Sequence, residues 1–357
     1  MRVLVTGATG YIGSAAAKAL LKRDHQVLGL ARSERSAATL RHRGVEPVRG
    51  DFGDPGALGG AVAAADPDVV VSVASLGASA GDNPVSFARD RDALRAIQGA
   101  LARPDQALVF TSGSAVFGVF SGGEATTAVY NEDSSLPLPV RTLAPSSAGV
   151  YPLLVAGFAQ AMAARVETER IVLDHTGSRG IVIRPGLVYG HGGSYDIPTI
   201  IARAKARGRA GHLGSGATTH SYIHLDDLAE LYCLAVERAP AGATLHGVVG
   251  DITQRKLAQA VNRMLGTDEQ TDSLTLIEML GMNAGERFAL TATKHLPLNM
   301  SRKIGSLFSP PSSVGSGISL SLDKRISSEK TRRLLGWTPK RTDILADIES
   351  GSYAGRP

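Results

Sequence analysis

The chain has 357 residues, 43% of them hydrophobic and 20% charged, with a formal net charge of +5. That suits one large domain or two modest ones around an ordinary apolar core, and no apolar run reaches the ~18 residues of a membrane-spanning helix. Cys233 is the sole cysteine, which excludes an internal disulfide and fits a cytoplasmic protein.

The N-terminus enters a strand at once, so no signal peptide is expected. Lys and Arg are dispersed, with short clusters only at 203–209 and 324–333. The basic balance is read as a solvated surface that suits phosphorylated or acidic ligands, with no nucleic-acid or membrane partner.

Residues 1–13 read MRVLVTGATGYIG. Val3, Leu4 and Val5 predict a short buried parallel strand. Gly7, Gly10 and Gly13 follow at three-residue spacing, and an Ala- and Leu-rich run over 15–21 predicts a helix. Strand, glycine turn and helix are the parts of a dinucleotide site. Gly7 permits the tight turn, Gly10 the close approach of a pyrophosphate, and Gly13 the packing of helix on strand, while the helix N-terminus faces the phosphates. Gly7, Thr9, Gly10, Tyr11, Ile12 and Gly13 are therefore candidate cofactor contacts.

A second apolar strand, 26–31, ends at Ala31, where an acidic side chain would hold the ribose hydroxyls and select NAD. Arg32, Ser33 and Arg35 stand there instead. A guanidinium pairs bidentately with a phosphate, so this position predicts NADP(H). Further strands are expected at 45–48, with Asp51 and Phe52 beyond it, at 69–74, with Ser75 beyond it, and at 107–110, with a helix over 84–102. Strands alternating with helices predict an α/β fold, a Rossmann-like doubly wound parallel sheet with right-handed crossovers.

The sequence Gly77-Ala78-Ser79-Ala80-Gly81 has the form of a hydrolase nucleophile elbow, but Pro84 interrupts the helix an elbow needs. Residues 118–150 are irregular and rich in Gly, Ser, Thr and Pro. A helix over 152–173 and a strand over 180–183 lead into RPGLVYG, where Pro185 ends the strand. YIHLDDLA opens a further helix, with an Asp complementing its dipole. Neither HExxH nor CxxC occurs, so no metal site is expected.

Together, TGATGYIG, VFTSGSAVFG, RPGLVYG, YIHLDDLA and the closing ISSEKTRRLLGWTPK resemble the extended and atypical short-chain dehydrogenase/reductases, the NAD-dependent epimerase/dehydratase-like branch, over nearly the whole chain. The resemblance implies an NADP(H)-binding Rossmann domain over 1–188, to which 221–240 returns. It implies a smaller substrate-capping region from 189–220 and 241–335, followed by a tail over 336–357. Asp51 and Phe52 would flank the adenine, Ala74 and Ser75 would border the ribose, and Pro185 and Val188 would lie on the cofactor side.

The family moves a hydride, and a Tyr carries the paired proton with its pKa lowered by a Lys four residues later. None of the eight tyrosines here is followed by that Lys. Aligned by Glu169 and the RP segment, Arg165 stands at the Lys position and Ala161 at the Tyr position. Arg165 remains a fixed cation for the nicotinamide ribose. Ser112 and Ser114 flank Gly113, where the family's serine belongs, and Asp90 resembles an Asp of the atypical subgroup. Tyr151 and Tyr189 are candidate replacement phenols, with His191, His220 and His224 as further donors.

Three functions fit these residues. One is an NADP(H)-dependent reductase or epimerase acting on a small carbonyl, imine or alcohol metabolite with a re-sited proton donor. Another is a non-redox isomerase or cyclase on the same scaffold, and the third is an NADP(H)-binding regulatory protein. A monomer or homodimer is expected. The stretch 288–308 and the loop after it predict a lid. Met279, Met282, Phe288 and Met300 are available to line a pocket or fill a core.

Overall fold

The computed structural model describes residues 1–75, 84–136, 151–281 and 317–355, with the backbone alone at 84, 151–157 and 159. The first half alternates as expected. It runs β1 (Arg2–Thr6), α1 (Tyr11–Leu21), β2 (Gln26–Ala31), α2 (Glu34–His42), β3 (Glu46–Arg49), α3 (Pro55–Ala65), β4 (Val69–Ser72), α4 (Pro84–Ala100) and β5 (Ala107–Thr111). A 3₁₀ turn (Ser114–Phe117) and β6 (Val119–Phe120) precede α5 (Tyr151–Leu173), β7 (Arg179–Pro185) and β8 (Leu187–Tyr189).

The second half comprises α6 (Ile197–Arg207), β9 (Gly211–Leu213), β10 (Thr219–His224), α7 (Leu225–Arg238), β11 (Ala243–Gly247), β12 (Gly250–Thr253), α8 (Gln254–Leu265), β13 (Asp272–Leu274) and α9 (Leu276–Leu280). Then come β14 (Leu322–Asp323), α10 (Glu329–Leu335) and α11 (Ile344–Ser350).

Seven strands form one parallel sheet in the order β11-β7-β5-β4-β1-β2-β3. Its central strands are mostly apolar because helices cover both faces, while the edge strand β3 carries Glu46 and Arg49 exposed. Val3, Leu4, Val5, Val69, Val70 and Val71 are wholly buried. On one face α1 packs on α7, and on the other α4 packs between α3 and α5. Cys233 lies inside the first of these layers, and burial pushes its thiol up to about 12. The order of strands reverses between β1 and β4, so the crevice for a nucleotide lies beyond the carboxyl ends of those two.

The cap is smaller. It holds a three-stranded sheet, β12-β10-β8, and the pairs β13-β9 and β14-β6. Two expected boundaries change. β11, placed by sequence in the cap, pairs with β7 from Ala243 to Gly247 and completes the main sheet. Residues expected to trail off as a tail are packed instead. Trp337 is 2% exposed and donates to the Asp227 carbonyl, while the Asp227 carboxylate accepts the amides of Lys340 and Arg341. Ile344, Ile348 and Tyr353 join the apolar core of the cap. Among the described residues no helix is long and apolar enough to cross a membrane.

Candidate nucleotide and substrate site

The glycine turn has the geometry its spacing demands. Gly7 takes φ +70°, and its carbonyl accepts the Gly10 amide at 2.9 Å. A Cβ on Gly13 would stand 2.2 Å from the Gly7 carbonyl oxygen, so no side chain fits there. Gly10 caps α1 without a side chain, which leaves the first N–H groups of the helix for an anion. Ala74 closes the crevice from β4, its amide donating to Thr6 Oγ1 at 3.2 Å. Ile12 packs on the core beneath. Tyr11 does not present its phenol to this crevice. Its hydroxyl donates to the carbonyls of Gly190 and Gly193, and burial pushes its pKa up.

At the far end of the crevice Arg32 and Arg35 follow β2, exposed and without an ion-pair partner among the described residues. Ser33 is already used, since it caps α2 in a reciprocal pair with Ser36. Arg43, which the sequence reading missed, reaches back from the end of α2 to the carbonyls of Ala8 and Thr9 at 3.4 Å. Asp51 is exposed and accepts the Gly53 amide, while Phe52 is buried in the core between the sheet and α3.

Beyond β5 the structure brings together residues from four elements. Arg165 Nε donates to Ser112 Oγ at 3.3 Å, and its guanidinium lies 5.2 Å from the centre of the Phe87 ring. Asp90, one helical turn on from Phe87 and 2% exposed, accepts a 2.6 Å hydrogen bond from Ser75 Oγ. Ser114 is buried in the 3₁₀ turn. Ala161 is 1% exposed, packed where the resemblance would place a phenol.

Of the two replacement phenols, Tyr189 does not reach that position. Ten residues of helix separate Tyr151 from Ala161, about 15 Å along the axis. Tyr189 is buried against Tyr222 and His224, and its hydroxyl donates to the Arg341 carbonyl at 3.0 Å. Burial pushes its pKa up. Pro185 ends β7, and Val188 pairs with Ile223 in the cap sheet.

A second buried group lies behind Arg165. Glu169, one turn along α5, holds Arg184 through hydrogen bonds of 2.6 and 3.1 Å, with exposures of 1% and 5%. Arg184 also covers the Phe117 ring. His246, wholly buried beside it, meets the Ser327 carbonyl through Nδ1. Burial, with Arg184 adding to it, lowers the imidazole to about 4, while Glu132 and Glu169 oppose.

His191, His224 and Asp226 bring potential ligand atoms within 4.8 Å of one another, a grouping no spacing motif announced. They hold each other instead. His191 Nε2 lies 2.9 Å from Asp226 Oδ1, His224 Nδ1 accepts the Asp226 amide, and Arg341 pairs with Asp226 at 3.1 Å. The Ser79 elbow, the expected lid, Met282, Phe288 and Met300 lie outside the described residues, as does the side chain of Tyr151. Met279 is buried in the cap core.

The described residues thus fit a dinucleotide, with a cradle that Cβ atoms would fill and helix amides free for a diphosphate. A family model described as the NAD dependent epimerase/dehydratase family matches residues 3–153 and 155–250. The chain belongs to that family.

Several of its relatives carry reductase names. It is 28% identical to 2-alkyl-3-oxoalkanoate reductase from Stenotrophomonas maltophilia, over 74% of this chain and 75% of that one. It is 29% identical to dTDP-4-dehydro-6-deoxy-D-allose reductase from Streptomyces bikiniensis, over 75% and 82%. The fold is shared with a dTDP-glucose 4,6-dehydratase from Streptomyces venezuelae solved with NAD, at a TM-score of 0.65, 19% identity and coverage of 99% and 96%. It is shared also with a human epimerase family protein solved with NADPH, at 0.61, 20% identity and 99% of each chain. This member of the epimerase/dehydratase family is an enzyme of the NAD(P)-dependent reductase and epimerase kind.

Proposed function

We propose that the protein is an NADP(H)-dependent reductase of small carbonyl compounds in which Ser112 and Arg165 do the work of the family's Tyr and Lys. The observation that carries this reading is the 3.3 Å contact between Arg165 Nε and Ser112 Oγ at the carboxyl end of β5, where the family expects its proton machinery. The phosphorylated cofactor is supported by Arg32 and Arg35, two exposed cations at the position where an acid would select NAD. The named relatives are reductases of an oxoalkanoate and of a dehydro sugar nucleotide, both carbonyl compounds by name.

When bound, the nicotinamide supplies or accepts the hydride. Gly7, Gly10 and the first turn of α1 would hold the diphosphate, and Arg165 would hold the ribose. Ser112 Oγ hydrogen-bonds the carbonyl oxygen and gives it a proton as the alkoxide forms. The Arg165 guanidinium, always charged, stabilises the serine oxygen until water reprotonates it. The Ser75–Asp90 pair fixes the edge of the pocket next to the ribose.

The test is NADPH oxidation, followed by absorbance, across a panel of ketones, aldehydes and imines. Turnover of at least one compound is expected, and Arg165→Ala should lower kcat/KM by about 100-fold. Tight NADPH uptake with no turnover across the panel overturns the reading. The buried Ala161 at the phenol position would then favour a non-redox isomerase or a nucleotide-binding regulator.

A further inference from the structure

The ladder of the main sheet thins at the point where Ser112 leaves β5. β4 pairs with β5 as far as Ser72 beside Phe110, so Thr111 and Ser112 lie beyond its end. β7 goes one step further. Thr111 stands beside Ile183, and the Ser112 amide donates to the Ile183 carbonyl at 2.8 Å. Gly113 follows, and a Cβ built there would meet no described atom within 4 Å. Ser112 is therefore held along one edge of its strand, and no side chain braces the residue after it.

A second hold comes from the helix layer behind the sheet. Side chains along a strand alternate between its faces. Val109 joins the core that α1 and α7 cover, and Phe110 joins the one on the opposite face. Thr111 accordingly turns toward α7, and Ser112 toward α5. Tyr232, in the middle of α7, is wholly buried, and its hydroxyl shares a 2.6 Å hydrogen bond with Thr111 Oγ1 from 121 residues away. Arg165 meets Ser112 Oγ from the α5 side at 3.3 Å. Two adjacent residues at the strand end are thus gripped from the two opposite layers.

A phenylalanine at 232 would fill the same space with no hydroxyl to desolvate. The cost of burying a phenol largely offsets the return from one hydrogen bond, so the bond adds little to stability. What the hydroxyl adds is direction. It fixes the Thr111 side chain, and with it the peptide that leads into Ser112. Burial pushes the phenol's pKa up, so the group keeps its proton at neutral pH and the bond persists.

We infer that Tyr232 is a positioning residue of the active site, acting through Thr111 on the strand end that aims Ser112 at the substrate carbonyl. This rests on the Ser112–Arg165 reading above and adds to it a residue from the layer behind the sheet.

Two measurements on the full chain test it, and one needs no substrate. Tyr232→Phe should speed deuterium exchange at the Ser112 amide by about ten-fold and leave Leu108, in mid-strand, unchanged. With a compound the enzyme reduces, the variant should lower kcat by about ten-fold and keep KM and NADPH affinity within about two-fold. Thr111→Val breaks the same bond from the strand side, and the double variant should lose no more than either single one. Unchanged exchange at Ser112 overturns the inference, as does an unchanged kcat or a double variant whose losses multiply. A lowered melting temperature with kcat intact makes the pair ordinary core and overturns it too. Should Tyr232→Phe fail to fold, Thr111→Val carries both measurements. If the unaltered protein turns over no compound, the reductase reading falls by itself, and exchange at Ser112 alone decides whether Tyr232 holds the strand.

Discussion

The two halves of the molecule bury different things. Inside the nucleotide half, the strands β1 and β4 place one wholly buried valine or leucine against another. The cap and the carboxyl ends it covers bury His212, Thr218, His220, Lys324, Arg184, Glu169 and His246. Apolar burial stabilises without direction, whereas a buried polar group is tolerated only where something meets it. The contrast separates an apolar scaffold from a region whose buried polar groups hold one another.

Four experiments sharpen that contrast. Glu169→Ala leaves Arg184 buried and unpaired, and should cost about 3–5 kcal/mol in urea unfolding. Arg41→Ala, which breaks an exposed pair with Glu34, should leave stability unchanged and serves as the control. Gly13→Ala drives a Cβ against the Gly7 carbonyl. It should cost about 1–3 kcal/mol and remove measurable NADPH binding by calorimetry.

Acid should act through the buried polar groups at the carboxyl ends of the main sheet. His246 stays neutral in the fold down to about 4, whereas an unfolded chain takes up that proton near pH ~6.5. Stability is therefore complete above the unfolded value. It falls by up to about 1.4 kcal/mol per pH unit as the pH drops toward the folded one. Urea midpoints from pH 7 to 4.5 should show that slope, and His246→Asn should flatten it. Apart from the Arg41 control, the smallest effect is expected at the scaffold's rim. Arg32→Ala should weaken NADPH by about ten-fold and leave NADH unchanged, and a uniform loss would remove the 2′-phosphate role.

What could be read from sequence follows the same divide. The glycine turn is legible because its constraints are local. Gly7 needs a left-handed backbone and Gly13 needs no side chain, and both demands show as the residue itself. The strands β1, β2, β4, β5 and β7 were legible because each centres on a short apolar run, whereas β11, with Thr244 and His246, was not. The buried polar contacts were not, because they join distant positions. Lys324 pairs with His220 across about a hundred residues, and Arg43 folds back on Thr9 in the nucleotide half. The C-terminal segment was misjudged for another reason. Its two helices have seven residues each, too short to show a period, and their anchor is a single carboxylate, Asp227, in another part of the chain.

That anchoring has a kinetic consequence. The loop after the RPG turn is clasped by Tyr353, whose hydroxyl accepts the Gly190 amide from 163 residues away, and by Arg341, whose carbonyl holds Tyr189 from 152 away. Contacts of such long sequence separation form late, because the chain between them must be ordered first. During refolding the parallel sheet should therefore assemble before the loop locks. Nucleotide affinity should lag behind the recovery of secondary structure.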